Sequence, residues 1–331
     1  MNAERALLLR LGQGPVSGDV LARECGQTRA AVWKRIAQLR DAGVAVDARR
    51  GHGYALRHRP DLLDADAIRA ALPAPVQARL AGLDVEWSLD STNAELLRRP
   101  MPGPQAEVLL AERQTGGRGR RGRTWQSPLA AHVYLSLQRG FDGGLARLGG
   151  LSLVAGIAAV EALQGLGITD VALKWPNDLV VATGPALHKL GGVLVEGGGE
   201  HAGPVRAVLG IGVNVRMPEA AAEGIDQPWT DLAALAADAP PSRNAVAAAL
   251  LAAWVPALAQ FDRDGLAPFL PRFRTMDALQ GRPVAVLTGR ERVEGIAEGV
   301  AADGALVVRV ADSGLQTFHA GEVSVRAEGG G

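Results

Sequence analysis

The chain has 331 residues, of which 47% are hydrophobic and 21% charged, a composition typical of a soluble globular protein with two or three domains and unlike a disordered or collagen-like chain. Its 35 lysines and arginines balance 35 aspartates and glutamates, which argues against a polyanion partner for the chain as a whole. The balance is not uniform along the chain. Residues 1–60 contain eleven basic and five acidic side chains (net +6), so 24 basic and 30 acidic ones remain in 61–331 (net −6).

The N-terminal 60 residues have the pattern of a winged helix-turn-helix. Apolar spacing and turn residues predict helices over 3–11, 18–25 and 29–42, and a β-hairpin with a basic tip over 44–56. Such a third helix fits the major groove of DNA while the hairpin reaches flanking phosphates. The basic excess favours DNA binding over the alternative, a small docking module with incidental charge. The predicted DNA-facing residues are Thr28, Arg29, Ala30, Ala31, Lys34, Gln38, Arg49 and Arg50.

Residues 61–270 form a predicted mixed α/β domain, because strand-like runs alternate with helical ones. Helices are expected over 65–71 and 145–166, and strands over 85–87, 107–112, 132–137, 171–175, 192–196 and 205–215. Residues 244–261 are uncharged and long enough to be considered as a membrane span, but their many alanines favour a buried core helix. We therefore predict no membrane segment.

Residues 271–331 have an all-β pattern. Strands are predicted over 283–287, 292–300, 306–310 and 317–325, with a hairpin turn at Asp303-Gly304. About five short strands of this kind predict a small β-barrel. The single cysteine, Cys25, excludes an intrachain disulfide and a multi-cysteine metal site. With no secretory pattern in the first eleven residues, this predicts a cytoplasmic protein.

The most specific segment is the arginine- and glycine-rich loop of residues 114–125, which lies between two predicted strands. Its glycines allow backbone amides to converge on an anion, and its arginines add bidentate contacts to phosphate or carboxylate. So much like charge predicts a loop that orders on an anionic ligand. The alternative, an Arg-Gly tract that binds RNA nonspecifically, usually lies in a disordered tail.

Two further motifs contain two of the three lysines in the chain. Lys174-Trp175-Pro176-Asn177-Asp178 follows an apolar strand, and His188-Lys189-Leu190-Gly191-Gly192 precedes another. Both are predicted at strand ends, where an α/β sheet commonly binds its ligand. Asp90-Ser91-Thr92-Asn93 precedes a helix, and a plain N-cap is the simpler interpretation of that segment taken alone.

The order of these motifs, between a winged helix-turn-helix and a small C-terminal barrel, resembles the bacterial bifunctional biotin–protein ligase/biotin operon repressor family over residues 16–326. The resemblance implies a class II synthetase-like ligase domain and an SH3-like C-terminal barrel. It implies domains of residues 1–60, 61–270 and 271–331. It also implies that biotin and ATP form biotinoyl-5′-AMP, and that a lysine of a biotin carboxyl carrier protein, the acetyl-CoA carboxylase subunit, then accepts the biotinoyl group.

The resemblance also assigns roles to residues. The expected biotin-binding residues are Ser91, Thr92, Asn93, Gln114, Arg118, Gly119, Arg120 and Lys189. The expected ATP-binding residues are Arg121, Arg123, Trp125, Lys174, Asn177 and Asn214. The expected catalytic residues are Lys189, Arg120, Arg118 and Asp178. Asp178 is the expected carboxylate near Mg²⁺, or alternatively it orients the incoming lysine.

For the N-terminal domain, the resemblance implies repression at operator DNA by a homodimer that the adenylate promotes. Trp33 departs from the family pattern, because a smaller polar residue is usual there, so the operator sequence is not carried over. Three alternatives remain: a ligase whose winged domain no longer represses, a DNA-binding regulator that only senses a ligand, and a lipoate or octanoate ligase.

Overall fold

The structure is a computed structural model that describes residues 3–49, 52–199, 203–237, 239–288, 291–319 and 323–327. The helices are α1 Ala3–Gly12, α2 Gly18–Glu24, α3 Arg29–Asp41, α4 Ala65–Ala71, α5 Ala74–Gln77, α6 Thr92–Arg98, α7 Leu151–Gly165, α8 Glu219–Ala222, α9 Leu232–Leu235, α10 Arg243–Asp264 and α11 Leu270–Met276. The strands are β1 Val46–Arg49, β2 Gly53–Leu56, β3 Leu80–Glu86, β4 Ala106–Ala111, β5 Val133–Phe141, β6 Val171–Lys174, β7 Asp178–Thr183, β8 Ala186–Gly199, β9 Val205–Val213, β10 Pro283–Thr288, β11 Glu291–Val300, β12 Leu306–Val310, β13 Gly314–Phe318 and β14 Val323–Ala327.

The N-terminal domain is the predicted winged helix-turn-helix. Ser17 Oγ accepts a hydrogen bond from the backbone N–H of Val20, and Thr28 Oγ1 accepts one from Ala31, so both helices of the motif begin at a side-chain cap. β1 and β2 pair antiparallel as the hairpin. Apolar residues at helical spacing, among them Ile36 and Leu39 of α3, form a separate core for this domain.

The central domain is built on a seven-stranded sheet in the order β3-β4-β5-β9-β8-β7-β6. Only the β3–β4 pair is parallel; the other neighbours are antiparallel. Successive side chains on a strand point to opposite faces. Leu209, Ile211 and Val213 of β9 accordingly join the main core, whereas Gly210 and Gly212 lie on the other face. This alternation separates a structural face from the face that carries the site.

α7 and α10 cover the structural face of the sheet. The indole Nε1 of Trp254 on α10 donates to the carbonyl of Ala155 on α7 at 2.9 Å. Gly156 lets α7 approach the sheet so closely that a Cβ atom there would lie 2.7 Å from Leu173 Cδ1. Residues 145–165 and 243–264 are long and apolar enough to cross a membrane by composition alone. In the fold, both helices contribute extensively to the core, as the sequence predicted for residues 244–261.

Two expectations for the central domain were wrong in detail, and one strand was not predicted. The helix predicted over 145–166 is broken: a 3₁₀ turn covers 145–148 and α7 begins only at Leu151. Gly150 between them has φ 80°, and a Cβ there would lie 2.6 Å from Leu266 Cδ2. β7 was not predicted. Lys189 lies inside the fourteen-residue strand β8, instead of before a short strand, because pairing with both β7 and β9 extends β8 in both directions.

The C-terminal domain contains a five-stranded antiparallel sheet in the order β13-β12-β11-β10-β14. The predicted turn at Asp303-Gly304 joins β11 and β12. The strand expected over 317–325 is two strands, β13 and β14, which lie at opposite edges of this sheet. The turn also contacts the central domain, because Trp175 Nε1 donates to the carbonyl of Gly304 at 2.9 Å.

Candidate functional site

The face of the central sheet opposite α7 and α10 carries a cavity of about 780 Å³. All fifteen residues to which the family resemblance assigned a role in binding biotin, binding ATP or catalysis line this cavity: Ser91, Thr92, Asn93, Gln114, Arg118, Gly119, Arg120, Arg121, Arg123, Trp125, Lys174, Asn177, Asp178, Lys189 and Asn214. They come from separate segments of the chain, up to 123 positions apart between Ser91 and Asn214. The fold therefore brings the sequence motifs into one site.

A buried polar network forms one end of the cavity. Ser91 is the N-cap of α6 and accepts from the backbone N–H of Ala94. The backbone N–H of Thr92 donates to Gln114 Oε1 at 2.9 Å, and Ser136 Oγ lies 2.7 Å from Thr92 Oγ1 and 2.6 Å from Asn93 Oδ1. Ser91, Thr92 and Asn93 are all at most 5% exposed. The simple cap interpretation of this segment is thus incomplete, because the turn also presents polar groups to the cavity.

Two glycines of β9 form the floor of the cavity, and sequence reasoning did not identify them. A Cβ atom on Gly210 would lie 2.2 Å from Asn93 Oδ1, and one on Gly212 would lie 2.5 Å from the Trp125 ring. Both side chains therefore need a glycine beneath them. A glycine at alternate positions inside a strand is a sequence signal for such close approach, and Gly210-Ile211-Gly212 shows it.

The arginine- and glycine-rich loop folds over the cavity. Arg118 and Thr124 form an isolated bridge, and residues 120–122 form a 3₁₀ turn in which Arg121 has φ 57°. Arg120 Nη1 donates to Asn177 Oδ1 at 3.3 Å. Burial lowers the pKa of Arg120, while the nearby Asp178 carboxylate acts in the opposite direction. The Arg120 guanidinium is thus partly buried, beside Asn177 and Asp178 of the first lysine motif.

The two lysine motifs meet across β7 and β8. Lys189 Nζ lies 2.8 Å from Asp178 Oδ1 and 5.4 Å from the ring centroid of Trp125. Asn177 Nδ2 donates to the carbonyl of Val193 at 2.8 Å, which holds the turn between β6 and β7 against β8. The cavity thus has an ammonium, a guanidinium and an indole ring within one short section of its wall.

A second wall, formed by residues 217–230, was also missed. Met217 and residues 224–229 line the cavity. The backbone N–H of Lys189 donates to the carbonyl of Pro228 at 2.9 Å, and Asn214 Nδ2 donates to the carbonyl of Thr230 at 3.0 Å. Asn214 therefore holds this wall in place as well as lining the site. Apart from the one-turn helix α8, the segment is irregular and has little periodicity, so it carried no signal.

A buried ionic cluster lies where β4 ends, at the base of the arginine- and glycine-rich loop of residues 114–125, which is called the ligand loop from here on. Glu112 and Arg243 are 3% and 1% exposed and form an ion pair with Glu112 Oε2 and Arg243 Nη1 2.6 Å apart. Glu112 Oε1 accepts from the backbone N–H of Leu63, and Arg243 Nη1 donates to the carbonyl of Asp61. Arg243 Nε donates to the carbonyl of His132. Sequence reasoning missed this cluster, which anchors the segment after the winged domain.

The winged domain presents its expected DNA-facing residues on one side of α3. Thr28, Arg29, Ala30, Lys34 and Gln38 are exposed, and Ala31 is half-buried. Trp33 lies on the same helix and is 64% exposed. Arg50 lies outside the described residues, as does the side chain of Arg49.

The winged domain also contacts the segment that follows the ligand loop. Leu129 is packed in the core of the winged domain, and its backbone N–H donates to the carbonyl of Ala42 at 2.8 Å. Arg57 pairs with Glu219, which lies in the second wall of the cavity, at 3.1 Å. The winged domain is therefore docked beside the cavity.

Comparison with known proteins agrees with this geometry. Residues 4–55 match an HTH domain, residues 88–214 match the biotin/lipoate A/B protein ligase family, and residues 280–326 match the biotin protein ligase C terminal domain. The bifunctional ligase/repressor BirA of Salmonella typhimurium is 38% identical over 94% of this chain and 93% of its own length. The BirA protein of Escherichia coli is 37% identical over the same shares of the two chains.

Ligases without the repressor name are also similar. The biotin--[acetyl-CoA-carboxylase] ligase of Mycobacterium tuberculosis is 36% identical over 69% of this chain and 83% of its own length. The solved biotin protein ligase of Aquifex aeolicus, in complex with biotin and ATP, superposes with a TM-score of 0.62 and 26% identity over 75% of this chain and all of that one. The chain therefore belongs to the biotin–protein ligase family, in the bifunctional group whose members carry an N-terminal helix-turn-helix domain.

Proposed function

We propose that this ligase attaches biotin to a lysine of a biotin carboxyl carrier protein of acetyl-CoA carboxylase, in two steps at the cavity. In the first, a carboxylate oxygen of biotin attacks the α-phosphorus of ATP, so that biotinoyl-5′-AMP forms and pyrophosphate leaves. In the second, the carrier lysine amine attacks the acyl carbon of this mixed anhydride. An amide forms, AMP leaves with the bonding electrons, and the amine loses a proton.

The polar network at one end of the cavity is suited to the biotin ring system. Ser91, Thr92, Asn93 and Gln114 supply donors and acceptors that are fixed by their bonds to one another. The first three are buried and Gln114 is half-buried, so a bound ligand without matching groups would cut their remaining hydrogen-bonding capacity off from water. Specificity gained in this way is strong, since an unpaired buried polar group costs about 1–3 kcal/mol. This end of the cavity would thus select biotin.

The cationic section of the cavity is suited to the carboxylate and the α-phosphate. Arg118, Gly119 and Arg120 would close over these groups, with Lys189 against the same oxygens. Negative charge accumulates on phosphoryl oxygens in the transition state, and fixed cations in a site with little water stabilise that charge. Closure of the loop would also exclude water from the anhydride until the carrier arrives.

The remaining residues are suited to the nucleotide. Trp125 would pack on adenine, helped by Arg121, Arg123, Lys174, Asn177 and Asn214. Trp125 is held in place by Gly212 below it and by the Lys189 ammonium beside it. A fixed aromatic ring of this kind contributes about 1–3 kcal/mol when a base stacks on it.

Asp178 is the residue that we assign to Mg²⁺. Mg²⁺ binds through one or two carboxylates together with substrate phosphates, and the described residues contain no group of three His, Cys, Asp or Glu side chains placed to hold a metal. A single carboxylate beside the cationic side chains that we assign to the phosphate, Arg120 and Lys189, fits this mode. When bound, Mg²⁺ would supply further positive charge to the phosphates. The alternative role for Asp178, orienting the carrier lysine, follows from the same position.

The winged domain supports a second activity, repression at operator DNA by a homodimer that the adenylate promotes. Its net charge of +6 and its exposed α3 favour DNA as the partner. Its docking on Leu129, a few residues after the ligand loop, gives the loop a physical route to the domain. We also propose a cytoplasmic location and the domain division 1–60, 61–270 and 271–331.

The observation that carries the ligase assignment is that the fifteen residues to which the resemblance gave a role converge on one cavity. Incubation with biotin, ATP and Mg²⁺, followed by native mass spectrometry, should detect the bound adenylate, and a carrier domain added next should gain biotin. Adenylate formation with lipoate but not biotin would instead indicate a lipoate-type ligase. Binding of biotin without any adenylate would indicate a ligand-sensing regulator.

A further inference from the structure

Glu196 lies on β8 just beyond the cavity, on the same strand face as Gly192 and Leu194, and its two carboxylate oxygens have different partners. Oε2 accepts a hydrogen bond from Asn93 Nδ2 at 2.8 Å. Oε1 accepts one from Arg118 Nη2 at 3.4 Å. Its side chain is 26% exposed. One carboxylate therefore contacts both the buried polar network and the ligand loop.

The contact with Asn93 fixes the orientation of the Asn93 amide. Asn93 Nδ2 also donates to the carbonyl of Leu194 at 3.2 Å, while Asn93 Oδ1 lies 2.6 Å from Ser136 Oγ. If the amide were reversed, its oxygen would face both the Glu196 carboxylate and a carbonyl, which are acceptors only. Glu196, at the shorter distance, and the carbonyl of Leu194 together select one of the two amide orientations.

The fixed amide in turn orders the groups that face the ligand. Ser136 Oγ lies 2.7 Å from Thr92 Oγ1, which itself lies 3.1 Å from Gln114 Oε1. Because each hydroxyl has only one hydrogen, the direction of one bond restricts the next. A Ser136 hydroxyl that donates to Asn93 Oδ1 can only accept from Thr92, so the acceptor oxygen of Glu196 sets the direction of the bonds as far as Thr92.

The contact with Arg118 is of a different kind. The Arg118 side chain is 47% exposed and its distance to Glu196 is long, and exposed ion pairs of this type contribute only about 0–1 kcal/mol. Such a contact holds Arg118 weakly at the rim of the cavity, and it can persist when a ligand binds because it uses only Nη2 of a guanidinium that has five N–H donors. The two contacts thus differ in strength and in purpose.

We infer that Glu196 is a positioning residue for biotin, which orders the Asn93 network from outside the cavity and holds Arg118 at its rim. The inference rests on the biotin site proposed above. Through Asn93 it acts on the affinity for biotin, and through Arg118 it acts on how long the closed loop retains the adenylate. The ATP-binding residues have no part in either contact.

The test compares Glu196→Ala and Glu196→Gln with matched variants at Glu298. The Glu298 side chain is 27% exposed, and its Oε1 forms an ion pair with Arg309 Nη2 at 2.6 Å in the C-terminal sheet. Glu298 therefore resembles Glu196 in exposure and in having an arginine partner, but it lies in another domain. Calorimetry gives the biotin Kd without ATP, pyrophosphate exchange gives the KM for ATP, and chase experiments give the rate of adenylate release. All measurements use the full chain.

Glu196→Ala should raise the biotin Kd about tenfold to a hundredfold, the range expected for a lost hydrogen bond to a charged group, with little change in the KM for ATP. Glu196→Gln retains an oxygen acceptor for Asn93 and should keep the biotin Kd within about threefold. It loses the charge opposite Arg118, so adenylate release should accelerate. The Glu298 variants should change none of the three quantities.

A wild-type biotin Kd in Glu196→Ala would overturn the inference. Equal increases in the biotin Kd and in the KM for ATP, together with a lower thermal stability, would also overturn it, because they would indicate general destabilisation. If Glu196→Ala does not fold, the test is made on Glu196→Gln alone. Adenylate release from Glu196→Gln at the wild-type rate would then overturn the inference. Gln114→Ala separates this outcome from failure of the proposed site. Weak biotin binding in Gln114→Ala together with a wild-type Glu196→Ala contradicts only the role of Glu196, whereas normal binding in both contradicts the site itself.

Discussion

Lys189 Nζ and Asp178 Oδ1 lie 2.8 Å apart on the adjacent strands β8 and β7. The two side chains are 18% and 23% exposed, so the pair is shielded from water more than a surface ion pair is. The pair joins the two lysine motifs through residues that are eleven positions apart in sequence. Asp178 holds the Lys189 ammonium at the cavity wall before any substrate binds, which reduces the reorganisation that the reaction requires.

We predict that Lys189→Ala lowers kcat for adenylation about 10²- to 10³-fold, because it removes a fixed cation from the developing phosphoryl charge. Arg120→Ala should show a loss of similar size. ATP–pyrophosphate exchange in the presence of biotin measures both. Arg263→Ala removes an exposed cation far from the cavity and should exchange normally. Near wild-type exchange by the Lys189 and Arg120 variants would contradict the site assignment.

Substitutions of the two glycines in the cavity floor should affect the KM values of the two substrates differently. Gly210→Ala places a methyl group against Asn93 and should raise the KM for biotin. Gly212→Ala places one against Trp125 and should raise the KM for ATP. We expect increases of about tenfold or more, since overpacking costs about 1–3 kcal/mol. Steady-state exchange kinetics with each substrate varied in turn checks both predictions.

Gly82 on β3 provides the matched control for these two variants. It is also a strand glycine, but a Cβ atom there would meet nothing within 4 Å. Gly82→Ala should therefore leave both KM values unchanged. If Gly210→Ala and Gly212→Ala raised both KM values to the same extent, the division of the cavity into a biotin end and a nucleotide end would be wrong.

The buried Glu112–Arg243 pair should be costly to break. Arg243→Met leaves the Glu112 carboxylate buried without its partner, and we predict a loss of about 3–5 kcal/mol in the free energy of unfolding. The double variant Glu112→Leu/Arg243→Met should recover much of that loss, because it leaves no buried charge. Urea unfolding measures both. Arg292→Met, which removes one side of an exposed pair with Glu294, should cost at most about 1 kcal/mol.

His132 should make stability depend on pH. Burial and the nearby Arg243 lower the pKa of His132 from 6.5 to about 3. The unfolded chain therefore binds a proton below about pH 6.5 that the folded protein does not bind, so this group's contribution to stability falls as the pH falls from 6.5 towards 3. The slope for one such group is about 1.4 kcal/mol per pH unit.

Asp277 should act with the opposite sign. Burial raises its pKa from 3.8 to about 6, so the folded protein binds a proton more readily, and this contribution is lost as the pH rises through 6. Relative to wild type, His132→Phe should gain stability on acidification, whereas Asp277→Asn should gain on moving to neutral pH. Urea unfolding across this pH range checks the two signs, and slopes equal to wild type would contradict both.

DNA binding by the full chain should depend strongly on salt. Lys34→Ala removes one exposed cation of α3 and should reduce the slope of log affinity against log salt by about one. Biotin with ATP should tighten binding in gel shifts, if the adenylate promotes a DNA-binding dimer. Indifference to these ligands, with the ligase active, would indicate a winged domain that no longer represses.

Local sequence determined much of this protein. The caps at Ser17 and Thr28 and the apolar spacing of α3 define the winged domain, since these interactions span only three or four residues. The loop of residues 114–125 and the two lysine motifs were recognisable because their chemistry is unusual in so short a stretch. The long helix α10 followed from composition in the same way.

Tertiary structure alone decided which of these groups meet. The pairing order β5-β9-β8-β7 brings Gly210 under Asn93, Gly212 under Trp125 and Lys189 beside Asp178. Strand order is a long-range property that no local periodicity encodes, so the strand β7 and the Glu112–Arg243 pair could not be read from the sequence. The alternate glycines of β9 indicate close approach, but not which side chains approach them. The charge distribution divides in the same way between sequence and fold. The sequence shows that the zero net charge is the sum of +6 in residues 1–60 and −6 in residues 61–331. Only the fold shows that the basic domain is docked beside the cavity that we propose for biotin and ATP.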